Sequence, residues 1–279
     1  MDKQVIAIGG GGFGRNPGNG IIEKYILDQS GKKIPNICFI PTATGDDESY
    51  KVSYYSTHSK LDCNPTHLDL FKRTPNLEQL ILSQDIIFVG GGNTKSMLSV
   101  WREWGLNDIL REAYDSGVIM SGVSAGAICW FEKGITDSWA DKLNVLDCLG
   151  FVKGNCCPHY DEEHERRPSL FNFLKERQLE DCYAVEGGCA LHIKNDNVYS
   201  AISFQGKKNS YYVNLENESI KENIDIFHYD SDKTYSGREY ALERISSHLS
   251  NTSVIIMDDL QDNSFFYDYL EKNNISEFQ

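Results

Sequence analysis

Short apolar runs alternate with longer amphipathic segments along the first half of the chain. The short runs end at glycine, proline or polar residues, which predicts β-strands, whereas the longer segments repeat apolar residues at helical spacing. The predicted strands are Gln4–Ile8, Asn36–Ile40, Thr66–Leu70, Asp85–Val89 and a run that begins at Val118. The predicted helices are Gly20–Asp28, Asp46–Lys60, Pro75–Leu82, Thr94–Trp104 and Leu106–Tyr114. This alternation favours βαβ units, in which helices cover both faces of a parallel sheet.

The second half of the chain has a different pattern. A strand at Leu149–Val152, a helix at Pro168–Leu179 and a strand at Cys182–Val185 come first. Because turn residues separate the short alternating runs that follow, these runs predict antiparallel hairpins at one edge of the sheet. They are Ala190–Ile193, Val198–Phe204 and Ser210–Val213. We therefore expect an α/β fold with a mostly parallel sheet, helices on both faces and an antiparallel edge extension.

Glycine and serine mark the end of the strand that begins at Val118. Gly122-Val-Ser124-Ala-Gly126 follows the G-x-S-x-G pattern, and a helix-compatible segment comes after it. This is the context of a nucleophile elbow, in which glycines let strand and helix approach and the turn exposes the serine Oγ. The amide of Ala125 points into the same space and can hold an oxyanion. Ser124 is therefore a candidate nucleophile, and a turn without chemical function is the alternative.

A nucleophilic serine needs a base and a group that orients the base. His159 lies in a proline-marked loop after an apolar run and is the best candidate base. His192 lies inside an alternating strand, which is more typical of a structural residue. Glu186 ends an apolar strand and precedes two glycines, and Asp137 is a second candidate acid.

These motifs together resemble the peptidase E family. The likeness covers the chain to about residue 205 and keeps family order through Gly90-Gly-Gly-Asn-Thr94, the elbow, Gly134-Ile-Thr-Asp-Ser138, Pro158-His-Tyr-Asp161 and Glu186-Gly-Gly188. The family consists of serine dipeptidases that favour an amino-terminal aspartate, and cyanophycinases are their relatives. It implies a flavodoxin-like fold of the class I glutamine-amidotransferase type.

The resemblance also implies roles for individual residues. A Ser–His–Glu triad carries over onto Ser124, His159 and Glu186. The implied oxyanion hole consists of amides from the glycine turn and the elbow, at Gly91, Gly92 and Ala125. Candidates for substrate binding are Asn93, Asp137, Arg166 and Arg167. The two arginines could offset a substrate carboxylate, or they could pair with the neighbouring glutamates at 162, 163 and 165. The implied activity is hydrolysis of short peptides through an acyl-enzyme.

Three other interpretations of the sequence have to be weighed against this one. The α/β-hydrolase order of serine, acid and histidine could be built from Ser124, Asp161 or Glu186, and His192. The glycines at 9–14 match G-x-G-x-x-G, but the helix that a dinucleotide site requires can start only near residue 20. A non-peptidase amidase or an amidotransferase-like binding module remains open. Amidotransfer uses a cysteine nucleophile, however, and Cys129 lies a turn beyond the serine.

Composition narrows the choice of partners. A net charge of −14 disfavours nucleic acid and anionic membranes. Eight cysteines in a chain without a signal-peptide layout favour reduced thiols and a cytoplasmic protein, with no metal or cofactor expected. We expect residues 1–220 to form the catalytic α/β domain. Residues 221–279, with a helix at Tyr240–Leu249, should be an extension packed on it. A short peptide is the expected partner, and a homodimer is left open.

Overall fold

The computed structural model describes residues 2–16, 20–204, 206, 208–216, 219–229 and 249–257, without the side chains of 223–229 and 249–257. The helices of this part of the chain are α1 Ile21–Asp28, α2 Glu48–His58, α3 Leu77–Leu82, α4 Thr94–Glu103, α5 Leu106–Asp115, α6 Ala125–Ile128 and α7 Arg166–Lys175. Its strands are β1 Gln4–Ile8, β2 Asn36–Ile40, β3 Asn64–His67, β4 Ile86–Val89, β5 Ile119–Val123, β6 Phe131–Thr136, β7 Asn144–Asp147, β8 Val152–Cys157, β9 Asp181–Val185, β10 Cys189–Lys194, β11 Asn197–Ser203, β12 Ser210–Glu216, β13 Ser219–Tyr229 and β14 Leu249–Met257.

The first sheet carries the parallel strands that the sequence predicts. Its order is β11-β10-β1-β5-β4-β2-β3, and the five strands from β1 to β3 in that order are parallel. The hairpin of β10 and β11 adds antiparallel strands at the β1 edge. The predicted α/β class with an antiparallel edge extension is therefore confirmed, but the predicted strand at Ser210–Val213 does not belong to this extension: it pairs with β9 in a second sheet. In the register, Ile8 of β1 pairs with Val123 of β5, so both strands end at the same edge.

Apolar residues fill both faces of the first sheet. Along β1, Val5 and Ala7 belong to one buried cluster, whereas Ile6 and Ile8 belong to another. The first cluster packs the sheet against α4, α5 and the second sheet, and the other packs it against α1 and α2. An inner parallel strand that is covered on both sides explains why the sequence reads as a continuous apolar run.

A second sheet differs from the sequence expectation. Its order is β14-β13-β12-β9-β8-β6-β7, and β6 and β7 were not predicted. The helix after the elbow ends at Ile128 because the next backbone groups pair elsewhere. Leu149 donates to the Cys129 carbonyl, and the amides of Phe151 and Val152 both donate to the Trp130 carbonyl. These long-range hydrogen bonds override a segment whose local pattern is compatible with helix. They also move the predicted strand at residues 149–152 to Val152–Cys157.

The end of the chain extends the second sheet. Strand β13 pairs antiparallel with β12, and β14 pairs parallel with β13. The helix predicted at residues 240–249 lies outside the described residues except for Leu249, which begins β14. The division of the chain at residue 220 stays a prediction, and β13 crosses that position. Within the described ranges, no helix combines the length and apolarity that a membrane span requires.

The contact between α6 and β4 gives a test of this packing. A Cβ added to Gly126 would overlap the Val89 carbonyl oxygen. Because backbone cannot move aside cheaply, Gly126→Ala should lower the free energy of unfolding in urea by about 3 kcal/mol or prevent folding. Gly31→Ala is the control: its Cβ would meet open space at a φ of +65°, so only about 1 kcal/mol of conformational cost is expected. Equal losses in both variants would contradict the steric explanation.

Candidate active site

Ser124 stands at a strained turn between β5 and α6. Its φ of 57° and ψ of −111° are unusual for a residue with a side chain, and its side chain is half-buried. Glycine is required on both sides, since a Cβ at Gly122 would lie 2.6 Å from the Val89 carbonyl oxygen and one at Gly126 would overlap it. The geometry is that of a nucleophile elbow, in which backbone strain holds the serine out of the strand.

The end of β1 brings His159 to the same place. The Ser124 amide donates to the Ile8 carbonyl at 3.1 Å, and the His159 amide donates to the next carbonyl, that of Gly9, also at 3.1 Å. His159 follows β8 of the second sheet and has a φ of 55°. Serine and histidine, which are remote in sequence, are therefore fixed to neighbouring backbone groups.

The imidazole of His159 is buried and hydrogen-bonded to a carboxylate. Its Nδ1 lies 2.8 Å from Oε2 of Glu162, and Nη2 of Arg15 lies 3.4 Å from the same nitrogen. With its proton on Nδ1 towards Glu162, the ring has a lone pair on Nε2, as a general base requires. Burial lowers the pKa of His159, and the hydrogen bond to Glu162 opposes that shift. The ring is therefore neutral at pH 7.

Glu186 lies at the end of β9 and has other partners. Its Oε2 accepts from the Asn209 amide at 2.8 Å, and its Oε1 accepts from the Tyr211 hydroxyl at 3.4 Å. Burial raises the pKa of the Glu186 carboxyl. Among the described residues, no hydrogen bond joins Glu186 to His159. Its role in a triad stays a prediction.

The glycine turn after β4 lies beside the elbow. A Cβ at Gly91 would lie 3.2 Å from the Cβ of Ser124, and the Gly91 amide donates to the Tyr50 hydroxyl over 3.4 Å. Gly92 is exposed, and its φ of +136° shapes the turn. Ala125 is the first residue of α6, where an amide has no acceptor in its own helix. Gly91 and Ala125 thus flank the serine.

Asn93 and Asp137, two of the candidates for substrate binding, lie at one connection. The Asn93 Oδ1 accepts from the Ser96 amide and caps α4, and its Nδ2 donates to the Ser138 carbonyl, each at 2.9 Å. Both ends of the Asn93 amide are therefore occupied. Asp137 precedes Ser138 and is exposed. Asn93 and Asp137 therefore lie where the segment after β6 contacts the start of α4.

The two arginines differ in their environment. Arg166 is 2% exposed, and its guanidinium donates to the Ile135 carbonyl at 2.7 Å and to Glu163 at 2.8 Å. Arg167 is half-exposed; its guanidinium lies 4.7 Å above the Tyr160 ring, and its Nε lies 3.2 Å from Glu222. Arg166 therefore ties α7 to β6, whereas Arg167 lies at the surface, where it contacts Tyr160 and Glu222.

The residues of the other interpretations have structural partners. His192 is fully buried, with its ring nitrogens 2.8 Å from the Tyr25 hydroxyl and 3.0 Å from Oε1 of Gln4. The helix after the glycine-rich loop begins only at Ile21, too late for a dinucleotide site. Burial raises the pKa of the Cys129 thiol. In the part of the chain that the structure describes, no group of three or more His, Cys, Asp or Glu residues could hold a metal ion.

The structure adds three residues that the sequence does not single out: Arg15, Tyr50 and Glu162. Glu162 follows His159 at a spacing of three residues, which a tight turn can close into a side-chain contact. Arg15 and Tyr50 reach the site from the β1–α1 loop and α2, and nothing in their local sequence indicates this.

Related sequences agree with the resemblance. The chain matches the model of peptidase family S51 over residues 5–201. It is 46% identical over 221 residues to the uncharacterized peptidase YgaJ of Bacillus subtilis, and the match covers 79% of this chain and 96% of YgaJ. Peptidase E of Haemophilus influenzae is 28% identical over 185 residues, which cover 62% of this chain and 82% of that protein.

Solved structures share the fold. A peptidase from an acI-B1 Actinobacterium matches with a TM-score of 0.60 at 17% identity, covering 80% of this chain and 95% of the other. A protein from Listeria monocytogenes EGD-e matches with a TM-score of 0.56 at 19% identity, covering 74% and 100%. These likenesses establish the fold, and the sequence matches establish the family. The protein belongs to peptidase family S51 and is a peptidase, with peptidase E proteins among its relatives.

Proposed function

We propose that this peptidase hydrolyses short peptides through an acyl-enzyme on Ser124, with His159 as the general base. One observation carries the proposal. The strained serine and a buried, neutral histidine are held by consecutive carbonyls at the end of β1. Nucleophilic catalysis requires an exposed serine hydroxyl and a neutral histidine with an oriented tautomer, and adjacent carbonyls of one backbone segment anchor the two residues that would supply them.

The reaction takes two steps. The Ser124 Oγ attacks the scissile carbonyl while the Nε2 of His159 takes its proton, and the imidazolium then protonates the leaving amine. The Ala125 amide and amides of the glycine turn at Gly91 and Gly92 hold the oxyanion. A hydrogen bond from the Gly91 amide to the oxyanion would replace its weak contact with the Tyr50 hydroxyl. In the second step His159 activates water, which releases the acid from the serine. No metal or cofactor enters this scheme.

The substrate is proposed to be a dipeptide, in keeping with the peptidase E relatives and with the likeness stated above. The carboxylate of an amino-terminal aspartate would need a cation to offset repulsion by an acidic protein. Arg167 is proposed for this role, because it is the more exposed of the two candidate arginines. Asn93 and Asp137 are proposed to border the substrate. Glu186 is the orienting acid that the likeness implies, and its assignment is tested below against that of Glu162. All eight cysteines are free thiols, which favours a cytoplasmic enzyme. A homodimer is left open.

An amidase or an amidotransferase-like binding module of the same fold is the second candidate. The nucleophile of amidotransfer would have to be Cys129, which is fully buried and has a raised pKa. A buried thiol remains protonated and unreactive. The serine scheme is therefore the better proposal.

Replacing the nucleophile tests the central assignment. Ser124→Ala should lower kcat for dipeptide hydrolysis by about a millionfold, because it removes the atom that forms the acyl-enzyme. Cys129→Ala is the matched control and should retain hydrolysis. Circular dichroism would verify that both variants fold. Wild-type activity in Ser124→Ala, or inactivity in a folded Cys129→Ala, would overturn the scheme.

The pH dependence tests the base. Burial lowers the pKa of His159, and four charged groups surround it: Glu162 and Glu163 raise the pKa, and Arg166 and Arg15 lower it. Since the net shift is downwards and the neutral ring is the active form, activity should persist below the ordinary histidine pKa of about 6.5 and fall only at lower pH. The measurement is kcat/KM against pH. A midpoint above the ordinary value would contradict the assignment.

A dipeptide panel tests recognition of the aspartate. If Arg167 contacts the substrate carboxylate, Arg167→Leu should raise KM for Asp-X by roughly tenfold and leave KM for Gly-X nearly unchanged. Lys175→Leu removes an exposed cation from the same helix and serves as the control. Equal changes for Asp-X and Gly-X, or no wild-type preference for Asp-X, would indicate a broader dipeptidase.

A further inference from the structure

We propose that Glu162 and Arg15 form a positioning pair for the catalytic histidine, in which Glu162 orients the imidazole of His159 and Arg15 holds the Glu162 carboxylate. This inference rests on the proposed function, since it concerns the base of that reaction. It gives the orienting role to a residue other than Glu186.

The carboxylate of Glu162 bridges a cation and the imidazole. Its Oε2 lies 2.8 Å from Nδ1 of His159, and its Oε1 is paired with Nη1 of Arg15. One oxygen thus accepts a hydrogen bond from the imidazole Nδ1–H, while the other is fixed by a guanidinium. A carboxylate held at both oxygens cannot rotate away from the ring, so the tautomer with the lone pair on Nε2 is favoured.

Two glycines form a cradle around this carboxylate. A Cβ at Gly187 would overlap Cδ and Oε1 of Glu162. A Cβ at Gly10 would lie 2.6 Å from Oε2 of Glu162 and 3.0 Å from Nδ1 of His159. Neither glycine has a positive φ, so space rather than backbone conformation explains why no side chain stands there. The loop after β1 and the turn after β9 are therefore shaped to admit Glu162.

Glu186 is committed to other contacts. Both of its carboxylate oxygens accept hydrogen bonds from the start of β12 or the residue before it, through the Asn209 amide and the Tyr211 hydroxyl. Its backbone amide also donates to the Asn209 carbonyl at 3.2 Å. These three bonds fix the end of β9 against β12. In this arrangement Glu186 shapes the turn that carries Gly187, and Glu162 contacts the base.

The charges of the pair act on His159 in opposite directions. Glu162 raises the pKa of the imidazole, and Arg15 lowers it. Glu163 and Arg166 also face the ring, the first raising and the second lowering its pKa. At low pH, kcat/KM falls as His159 becomes protonated, and this fall is called the acid limb. Removal of Glu162 should therefore move the acid limb to lower pH, whereas removal of Arg15 should move it to higher pH. A purely structural role would produce neither shift.

The experiment compares four single substitutions in the full chain: Glu162→Gln, Arg15→Gln, Glu186→Gln and Glu165→Gln. Each variant is assayed for kcat and KM on a dipeptide that the wild type hydrolyses, between about pH 4 and pH 9, and its thermal unfolding is recorded. Glu165→Gln is the matched control, because this substitution removes the same charge as Glu162→Gln from the same loop. The Glu165 carboxylate lies 3.2 Å from the ring of His164, whose side chain is 92% exposed.

Glu162→Gln should lower kcat/KM on the order of a hundredfold, mainly through kcat, with the acid limb at lower pH. The expected loss is below the largest known for such carboxylates because the Glu162 side chain is 29% exposed. Arg15→Gln should lose less and shift the limb upwards. Glu165→Gln should match the wild type, and Glu186→Gln should keep the wild-type limb.

The shift of the acid limb decides the inference. An unshifted limb in a folded Glu162→Gln variant would overturn it whatever the rate, and so would a shift confined to Glu186→Gln. Failure of the proposed function is a separate result, because it would appear as activity in Ser124→Ala. An inactive Ser124→Ala together with a fully active Glu162→Gln would therefore reject the positioning pair alone.

Discussion

The carbonyl groups at the end of β1 hold the site together. Ile8 accepts from Ser124, Gly9 accepts from His159, and Gly10 accepts from Gly188. These three donors come from three different connections, and buried backbone groups must find such partners. Because the acceptors are consecutive, the elbow, the histidine loop and the turn after β9 converge on one short segment. A shift of β1 by one residue would separate the serine from the histidine, so the register between β1 and β5 is as important to the site as the side chains themselves.

Space at these strand ends is supplied by glycine. Gly122 and Gly126 admit the β4 carbonyl next to the elbow, whereas Gly10 and Gly187 admit the Glu162 carboxylate. In both cases a methyl group would occupy the position of a backbone oxygen or a charged side chain. The glycine-rich segments therefore serve close approach, and a phosphate-binding function is not needed to explain them.

Burial and a balance of nearby charges set the protonation state of His159 in an acidic protein. The chain has a net charge of −14, yet the charges nearest His159 are two acids and two arginines. The paired charges limit the effect of the protein's overall negative field on the ring. Desolvation then lowers the pKa of the imidazole and keeps it neutral, the form that the proposed general base requires. Burial also raises the pKa of the Cys129 thiol, one turn beyond the serine, and keeps it protonated.

Much of the fold follows from the sequence, because its signals are local. The βαβ alternation, the parallel sheet and the strand, turn and helix around Ser124 can be predicted from short-range periodicity and from glycine placement. The second sheet could not be predicted, because backbone pairing between residues near 130 and residues near 150 overrides a helix-compatible segment. Likewise, the sequence indicates His159 as a base but not which carboxylate it contacts. Arg15 and His159 are 144 residues apart, and only the tertiary structure decides that they share Glu162, because side-chain hydrogen bonds depend on where the backbone places each group.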